Sequence, residues 1–364
     1  MKLLEITAIL EKFAPLALQE NFDNSGLLIG DENAEICGAL LCIDITEEVI
    51  DEAISLGFNL VIAHHPLIFK GLKKINGKNY IERCVQKAIK NDIALYAAHT
   101  NFDSVQYGVS CKMAEKIGLE NLKVLSPCKD VLVKIVTFLP VKFIENVRTA
   151  AFEAGSGHIG NYESCSFSAQ GEGTFRALDG AKPFLGKVGE MHTETENRLE
   201  FIVPAYLADN VMLAIKDAHP YEEPAIDIFP LKNAWESVGL GVVGMLKNPM
   251  SETEFLTYIK QTFGVGVIRH SKFLNKPIVR AALCGGSGAE FINNAKRCRA
   301  DIYVTADVSY HKFFEAENSL VIADIGHFES EQFTKEIFYE ILLKNFKNFA
   351  VEFSKNERNA VEYF

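Results

Sequence analysis

The sequence predicts an α/β protein: a discontinuous outer domain of βα units with mixed or parallel sheets, into which an α+β ferredoxin-like domain is inserted. In the outer segments, apolar runs of strand length alternate with amphipathic helical segments, a pattern typical of parallel βα units. The segment between them has the order β-α-β, one or two polar edge strands, and β-α-β, which is typical of a ferredoxin-like sandwich. The predicted domains are residues 1–127 with 232–364, and the inserted residues 128–231.

The first half of the outer domain begins with an amphipathic helix that ends at Pro15, followed by a loop rich in Asn, Asp, Ser and Gly and a short strand. Three strands and three helices then alternate. Because strand-helix-strand units are almost always right-handed crossovers, these strands are expected to be parallel. In chain order the segments are GALLCIDI, ITEEVIDEAISLG, NLVIAHH, NYIERCVQKAIKND, DIALYAAH and GVSCKMAEKIGL.

The second half continues the alternation, with one helix expected near His311 and a last helix for which Ser330 is the expected N-cap. Its strands are VGLGVVGML, PIVRAALCGGSG, ADIYVTAD and SLVIADIGH. The second and third of these match GALLCIDI and NLVIAHH in element order, which suggests two similar halves facing one cleft. Repeated βαβ units also arise from the fold class alone, and that alternative stays open.

Charge and cysteine content narrow the function classes. Lys and Arg total 37 and Asp and Glu total 48, for a net charge of −11 that argues against a nucleic-acid surface. An anionic substrate remains compatible if metal ions supply local positive charge. The eight cysteines form no CxxC pair, so reduced thiols and a cytoplasmic location are expected. No apolar run reaches the roughly twenty residues of a membrane span, so no membrane partner is expected.

Five candidate metal ligands follow the C-terminal ends of predicted strands, where α/β folds build their sites. Three imidazoles and two carboxylates exceed the needs of one tetrahedral ion with an open position. They suit two divalent ions about 3.5–4 Å apart, with a carboxylate able to bridge them. The five are His64, His65, Asp103, His327 and Glu331.

Each candidate also has a purely structural interpretation. His65, which precedes Pro66, is compatible with a turn residue, and Asp103 is compatible with a helix cap. His327 and Glu331 are compatible with a pair of side chains on the surface. Only convergence of the three segments favours a metal site.

Three further features stay open between a functional and a structural role. The glycine-rich run Gly285–Gly288 is either a tight turn or a phosphate cradle. Asp307 and His311 either line the cleft or cap a helix start. The loop from His219 to Glu223 is either an ordinary turn or a cap over a cleft or an oligomer contact.

Six motifs together resemble the Nif-three-like family, also described as GTP cyclohydrolase 1 type 2 homologs or dinuclear metal-centre proteins. The match covers nearly the whole chain. In chain order the motifs are FDNSGLLIGD, VIAHHPLIF, AHTNFDS, HPYEEPAIDI, TADVSYHKF and ADIGHFESE. Two departures concern the cleft wall: Ala306 stands where Gly is common, and FES replaces a YAT-like triplet.

The resemblance implies two divalent ions per chain, held by the five ligands above. Imidazole and carboxylate ligands together suit Zn, Fe, Mn, Co or Ni. It also implies that the inserted domain is similar to PII or CutA, and that the chain forms ring-shaped homo-oligomers, typically hexamers. The activity it implies is metal-dependent hydrolysis of a nucleotide or a similar small anion. His99 and His311 are then candidates for proton transfer.

The alternative function is a non-enzymatic metal-handling or regulatory ring whose inserted domain senses a small molecule. Nucleic-acid binding is disfavoured by the acidic balance.

Overall fold

The computed structural model describes residues 1–364, which fold as two compact units. The first unit comprises Met1–Ser126 and Ser237–Phe364, and the second comprises Pro127–Glu236. The predicted α/β class with mixed sheets is confirmed. Every helix is too short or too polar to cross a membrane.

The α-helices are α1 (Leu3–Phe13), α2 (Glu47–Leu56), α3 (Tyr80–Lys90), α4 (Thr100–Ser104), α5 (Val109–Lys116), α6 (Ile144–Glu153), α7 (Ala208–Ala218), α8 (Glu252–Phe263), α9 (Ile292–Arg297), α10 (His327–Glu331) and α11 (Thr334–Asn345). The strands are β1 (Gly26–Ile29), β2 (Gly38–Cys42), β3 (Leu60–Ala63), β4 (Ala94–Ala97), β5 (Leu119–Cys128), β6 (Leu132–Pro140), β7 (Ser166–Arg176), β8 (Met191–Pro204), β9 (Ile226–Leu231), β10 (Trp235–Met250), β11 (Arg269–His270), β12 (Ile278–Ser287), β13 (Ile302–Ala306), β14 (Val321–Asp324) and β15 (Ala350–Phe353).

The first unit contains two sheets with related strand orders. One sheet has the order β1-β4-β3-β2-β15, and the other has the order β11-β14-β13-β12-β10-β5. In the first sheet, β2, β3 and β4 are parallel neighbours, and β1 pairs antiparallel with β4. In the second sheet, β12, β13 and β14 are parallel neighbours, and β11 pairs antiparallel with β14. β2, β3 and β4 thus correspond to β12, β13 and β14, so the carboxyl ends of both triplets have equivalent places in their sheets.

Helices cover both faces of the parallel strands because these strands are apolar on both sides. In β2, Leu41 packs with α1 and α11, whereas Leu40 packs with α2 and α3. The second sheet is covered in the same way, with α5 and α8 in one core and α9 in the other. Polar side chains of the parallel strands therefore lie at the strand ends, beyond the covering helices.

Local signals in the sequence explain where several helices start and stop. The side chain of Thr46 caps α2 by accepting from the amide of Val49, and Gly57 ends the helix at φ 71°. Helix α8 begins with a capping box between Ser251 and Glu254.

The second unit has the element order β-α-β-β-α-β and an antiparallel sheet of order β7-β8-β6-β9. This is the ferredoxin-type arrangement. Helices α6 and α7 cover one face of the sheet through a core that includes Val147, Phe201 and Val211. Because many unrelated domains share this arrangement, a closer likeness to PII or CutA remains a prediction.

The structure differs from the sequence-based expectations at several elements. A single long strand, β7, replaces the alternative of two edge strands. Strands β5 and β15 were not expected, since both are largely exposed and lack an apolar run. The segment near His311 is a 3₁₀ turn, Tyr310–Ala316. The last helix is divided into α10 and α11, and Ser330 lies inside α10 instead of capping it.

Candidate metal centre

The two adjacent histidines are fixed by the parallel ladder that precedes them. β3 ends at Ala63, but its hydrogen bonds continue: the amide of His64 donates to Cys42 O at 3.1 Å and that of His65 to Ile43 O at 2.9 Å. The backbone at both positions therefore belongs to the rigid edge of the sheet.

The other three predicted ligands lie on two short helices that follow strand ends. Asp103 lies in α4, directly after β4. His327 and Glu331 begin and end α10, directly after β14. Their spacing of four residues places both side chains on one side of that helix, with His327 Nε2 3.1 Å from Glu331 Oε2.

The five side chains converge in the first unit as two groups that share Glu331. In one group, His65 Nε2, His327 Nε2 and Glu331 Oε2 are 3.0 to 3.2 Å apart. In the other, His64 Nε2 lies 3.8 Å from Asp103 Oδ1 and 3.6 Å from Glu331 Oε1. Each oxygen of Glu331 thus faces a different group.

Three buried polar atoms of this cluster have no hydrogen-bond partner, namely His64 Nε2, Asp103 Oδ1 and Glu331 Oε2. The nearest polar atoms to Glu331 Oε2 are Nε2 of His65 and Nε2 of His327, at 3.0 and 3.1 Å. An unsatisfied buried polar atom costs about 1–3 kcal/mol, so three in one place need a partner. Ligand atoms around one ion lie about 3–3.5 Å apart, which the first group matches. The residues fit a metal ion.

Each imidazole is oriented by an acceptor on its Nδ1 side. His64 Nδ1 lies 2.8 Å from the carbonyl oxygen of Ala98, which can only accept, so Nδ1 carries the proton and Nε2 is free to bind a metal ion. Asp44 holds His65 Nδ1 at 2.8 Å, and Asp307 holds His327 Nδ1 at 2.6 Å. Such partners fix the ring and raise its basicity as a ligand.

The titratable groups of the cluster shift one another's pKa values. Burial would raise the pKa of Glu331, but the neighbouring imidazoles of His64, His327 and His65 hold it well below its usual range. Burial would lower the pKa of His65, yet Asp44 and Glu331 raise it to about 10.

The pKa values of two further residues of the cluster, His327 and Asp103, are raised as well. Burial would also lower the pKa of His327, but Glu331 and Asp307 raise it to about 9. Burial and then the charge of Glu331 raise the pKa of Asp103 to about 7. A metal ion therefore has to displace protons from this cluster.

A family model describing Duf34/NIF3 (NGG1p interacting factor 3) matches residues 1–360. The chain belongs to the Duf34/NIF3 family. A relative from Bacillus subtilis (strain 168), named GTP cyclohydrolase 1 type 2 homolog, is 41% identical over 334 residues, covering 91% of this chain and 89% of the relative. The resemblance to the Nif-three-like family is thus confirmed.

Solved structures agree with this assignment. The Bacillus cereus protein related to NIF3 matches with a TM-score of 0.85 and 39% identity, covering 100% of this chain and 99% of that one. The Staphylococcus aureus protein SA1388 matches with a TM-score of 0.79 and 31% identity over the same shares.

The two residues predicted for proton transfer in this Duf34/NIF3 chain have different surroundings. His99 lies in the cluster: its ring centroid is 5.2 Å from that of His64 and 5.3 Å from that of His65, and Asp23 holds its Nδ1 at 2.8 Å. His311 is exposed, and its ring lies beside the rings of Tyr310 and Phe314. The structure does not bring His311 into the cluster.

The orienting carboxylates Asp23 and Asp44 were not singled out from the sequence. Gly286 belongs to the glycine-rich run noted in the sequence, but its contact with Glu331 was not anticipated. The amide of Gly286 donates to Ser330 Oγ at 2.9 Å, and an added Cβ would overlap with Glu331 Oε1. The glycine-rich run therefore lies against the shared carboxylate. The motif FDNSGLLIGD contains Asp23, so the sequence did offer a signal for this residue.

Proposed function

We propose that this protein is a metal-dependent hydrolase with two divalent ions per chain. The observation that supports this most directly is the pair of ligand groups that share Glu331, with unpaired buried atoms in both. His65 and His327 would hold one ion, His64 and Asp103 the other, and Glu331 would bridge them. When bound, the ions would lower the pKa of a coordinated water and provide the nucleophile for hydrolysis.

The protein's own groups then bind and orient. Asp44 and Asp307 hold Nδ1 of their histidines, so that Nε2 of each points into the cluster and would be available to an ion. His99, with Nδ1 committed to Asp23, offers its Nε2 beside His64 and His65 as a site that holds or moves a proton.

A planar ring in the substrate is favoured by two exposed phenylalanines beside the cluster. Phe22 and Phe69 are 64% and 42% exposed and stack with ring planes 13° apart. Phe69 also contacts the His99 ring, at a centroid distance of 5.6 Å. Exposed stacked rings next to a polar site suit the base of a nucleotide. A nucleotide, or a similar small anion with a heterocycle, is therefore the proposed substrate class.

The ligand assignment is tested by metal content. We expect about two ions per chain in metal-replete protein, measured by elemental analysis, and clear loss in His65→Ala and Glu331→Gln. His158→Ala, which changes an exposed histidine of the second unit, is the matched control. Content well below two ions, or full content in both ligand variants, would contradict the proposal.

The activity is tested separately. GTP is incubated with metal-loaded protein, and released formate and phosphate are measured with and without a chelator. The expected result is chelator-sensitive release that His65→Ala abolishes and His158→Ala keeps. If a two-metal protein leaves GTP and a panel of other nucleotides unchanged, the hydrolase assignment is wrong.

A second candidate function is a regulatory ring in which the second unit, proposed to be PII-like or CutA-like, senses a small molecule. A cavity of about 750 Å³ in that unit favours it. Aromatic and acidic side chains line the cavity, including Phe175, Phe184, Glu196 and Tyr221. Ligand-dependent protection of these residues in hydrogen exchange, without turnover, would support this function over hydrolysis.

Assembly as a homohexamer in the cytoplasm is proposed from the family resemblance. Sedimentation analysis of the purified chain tests the oligomer: a species of six chains is expected, and a monomer at micromolar concentration would contradict it.

A further inference from the structure

A cavity of about 550 Å³ in the first unit has a basic lining although the protein is acidic overall. Its charged lining residues are Lys123, Arg280, Arg297 and Arg299, and no carboxylate lines it. They come from three places: strand β5, strand β12, and the segment around the end of α9. The fold therefore brings together four positive charges that are dispersed in the sequence.

None of these four cations has an anionic partner. Arg280, which is half-buried, donates to neutral acceptors, Cys298 O at 2.8 Å and Met245 Sδ at 3.4 Å. Arg297 donates to the amide oxygen of Asn294 at 2.7 Å. The side chains of Lys123 and Arg299 make no hydrogen bond or ion pair. Like charges held together without a counter-charge repel one another, so the arrangement is stabilised when an anion enters.

The acidic groups nearby form no ion pair with the four cations. Asp301 Oδ2 accepts from the backbone amides of Val279 and Arg280 at 2.9 and 2.8 Å, so this oxygen is directed at the main chain and not at the guanidinium groups. Glu120 is exposed on β5 and does not line the cavity.

The chemistry of the cavity favours phosphate over other anions. Guanidinium groups bind phosphate oxygens through paired hydrogen bonds, and a lysine adds a point charge. Four positive charges exceed what one carboxylate or one phosphate needs. The floor is formed by Val243, Gly244 and Met245, which gives an apolar surface for an organic group.

This cavity is far from the metal centre. Arg280 lies near the start of β12 and Gly286, which contacts Glu331, lies near its end. Six residues of strand correspond to roughly 20 Å. A small molecule bound to the metal ions therefore does not reach the basic cavity.

We propose that the basic cavity lined by Lys123, Arg280, Arg297 and Arg299 is a binding site for a small molecule that carries a di- or triphosphate group. The site does not depend on the metal centre, and it adds an anion-binding surface to a protein whose overall charge repels anions.

The test uses the full chain and ADP as the probe, with adenosine as the phosphate-free comparison. Calorimetric titration at about 0.15 M salt, where weak surface attraction is screened, is expected to show binding of ADP and none of adenosine. Lys123→Gln combined with Arg299→Gln should weaken ADP at least roughly tenfold. Lys73→Gln with Arg358→Gln removes the same charge from exposed, unpaired positions and should leave the affinity unchanged.

Treatment with a chelator distinguishes this site from the metal centre. Binding that survives metal removal and is lost in the double variant supports the proposal. Binding that disappears with the metal and persists in the double variant overturns it, as does the absence of ADP binding at millimolar concentration. If the double variant does not fold, Arg297→Gln alone decides between the same two outcomes. An oligonucleotide that binds the cavity where ADP does not compete would also refute the small-molecule assignment.

Discussion

Replacing Gly286 by alanine tests whether Glu331 has to occupy its observed place for metal to bind. Gly286 has φ +62°, and an added Cβ would overlap with Glu331 Oε1, lie 3.1 Å from its Cδ and 3.4 Å from His327 Cε1. The carboxylate is buried and cannot move toward solvent without leaving both ligand groups. The substitution should therefore displace the one side chain that the two groups share.

Two effects of the substitution have to be separated. A non-glycine residue in the left-handed region costs about 1–2 kcal/mol whatever its surroundings. Gly57→Ala supplies the control, because Gly57 has φ +71° and nothing lies within 4 Å of an added Cβ. Both variants should lose a similar backbone contribution, which thermal unfolding of metal-free protein measures. Only Gly286→Ala should lose metal affinity, by at least roughly 100-fold, because changes that merely disturb metal ligands already cost 10–100-fold.

The assay is competition for Zn²⁺ with a chromophoric chelator, together with ions per chain by elemental analysis. Wild-type affinity in Gly286→Ala would show that Glu331 is not a ligand in the position observed. An equal loss in Gly57→Ala would show that the effect is general destabilisation.

The other predictions concern the protons released when metal binds, the carboxylate of Asp307 that orients His327, and the stacked rings of Phe22 and Phe69. Because the pKa values of His65 and His327 are raised to about 10 and 9, both are charged at pH 8; Zn²⁺ binding should release about two protons per chain, and affinity should rise with pH until those values are passed. Asp307→Asn, which weakens the anchor on His327 Nδ1, should lower metal affinity by about 10–100-fold. Phe22→Ala and Phe69→Ala should raise the KM for a nucleotide substrate and leave metal content unchanged.

Each of these has a control and a contrary result. Calorimetry of Zn²⁺ binding in two buffers of different ionisation enthalpy measures the number of protons released. Identical heats in the two buffers would contradict the predicted proton release. Asp179→Asn, at an exposed position of the second unit, is the control for the carboxylate. Phe229→Ala, also exposed, is the control for the rings, and metal loss in either ring variant would show a structural role instead.

The local patterns of the sequence determined the main elements of the first unit and the places where ligands can stand. Apolar runs that stop at polar residues, such as the one before His64, mark the end of a buried parallel strand because both faces of that strand are covered. His327 lies four residues before Glu331, and because α10 begins at His327, both side chains lie on one face of that helix. These are short-range properties of the sequence, and they can be recognised without knowing which distant segments pack against each strand or helix.

Elements stabilised by long-range pairing were harder to predict. β15 is a short, exposed strand whose parallel pairing with β2 is made across most of the chain, and β5 is a charged strand at the far edge of the second sheet. Neither has the alternation that marks a strand with one buried face.

Only the tertiary structure decided which candidates meet. It placed His99 in the cluster and His311 outside it, assigned one oxygen of Glu331 to each ligand group, and paired Asp44 with His65. The same applies to the basic cavity, whose four cations are separated by up to 176 positions along the chain, from Lys123 to Arg299. The sequence shows which side chains are available at each strand end. The packing of the two sheets determines the distances between these side chains, and those distances determine which chemistry is possible.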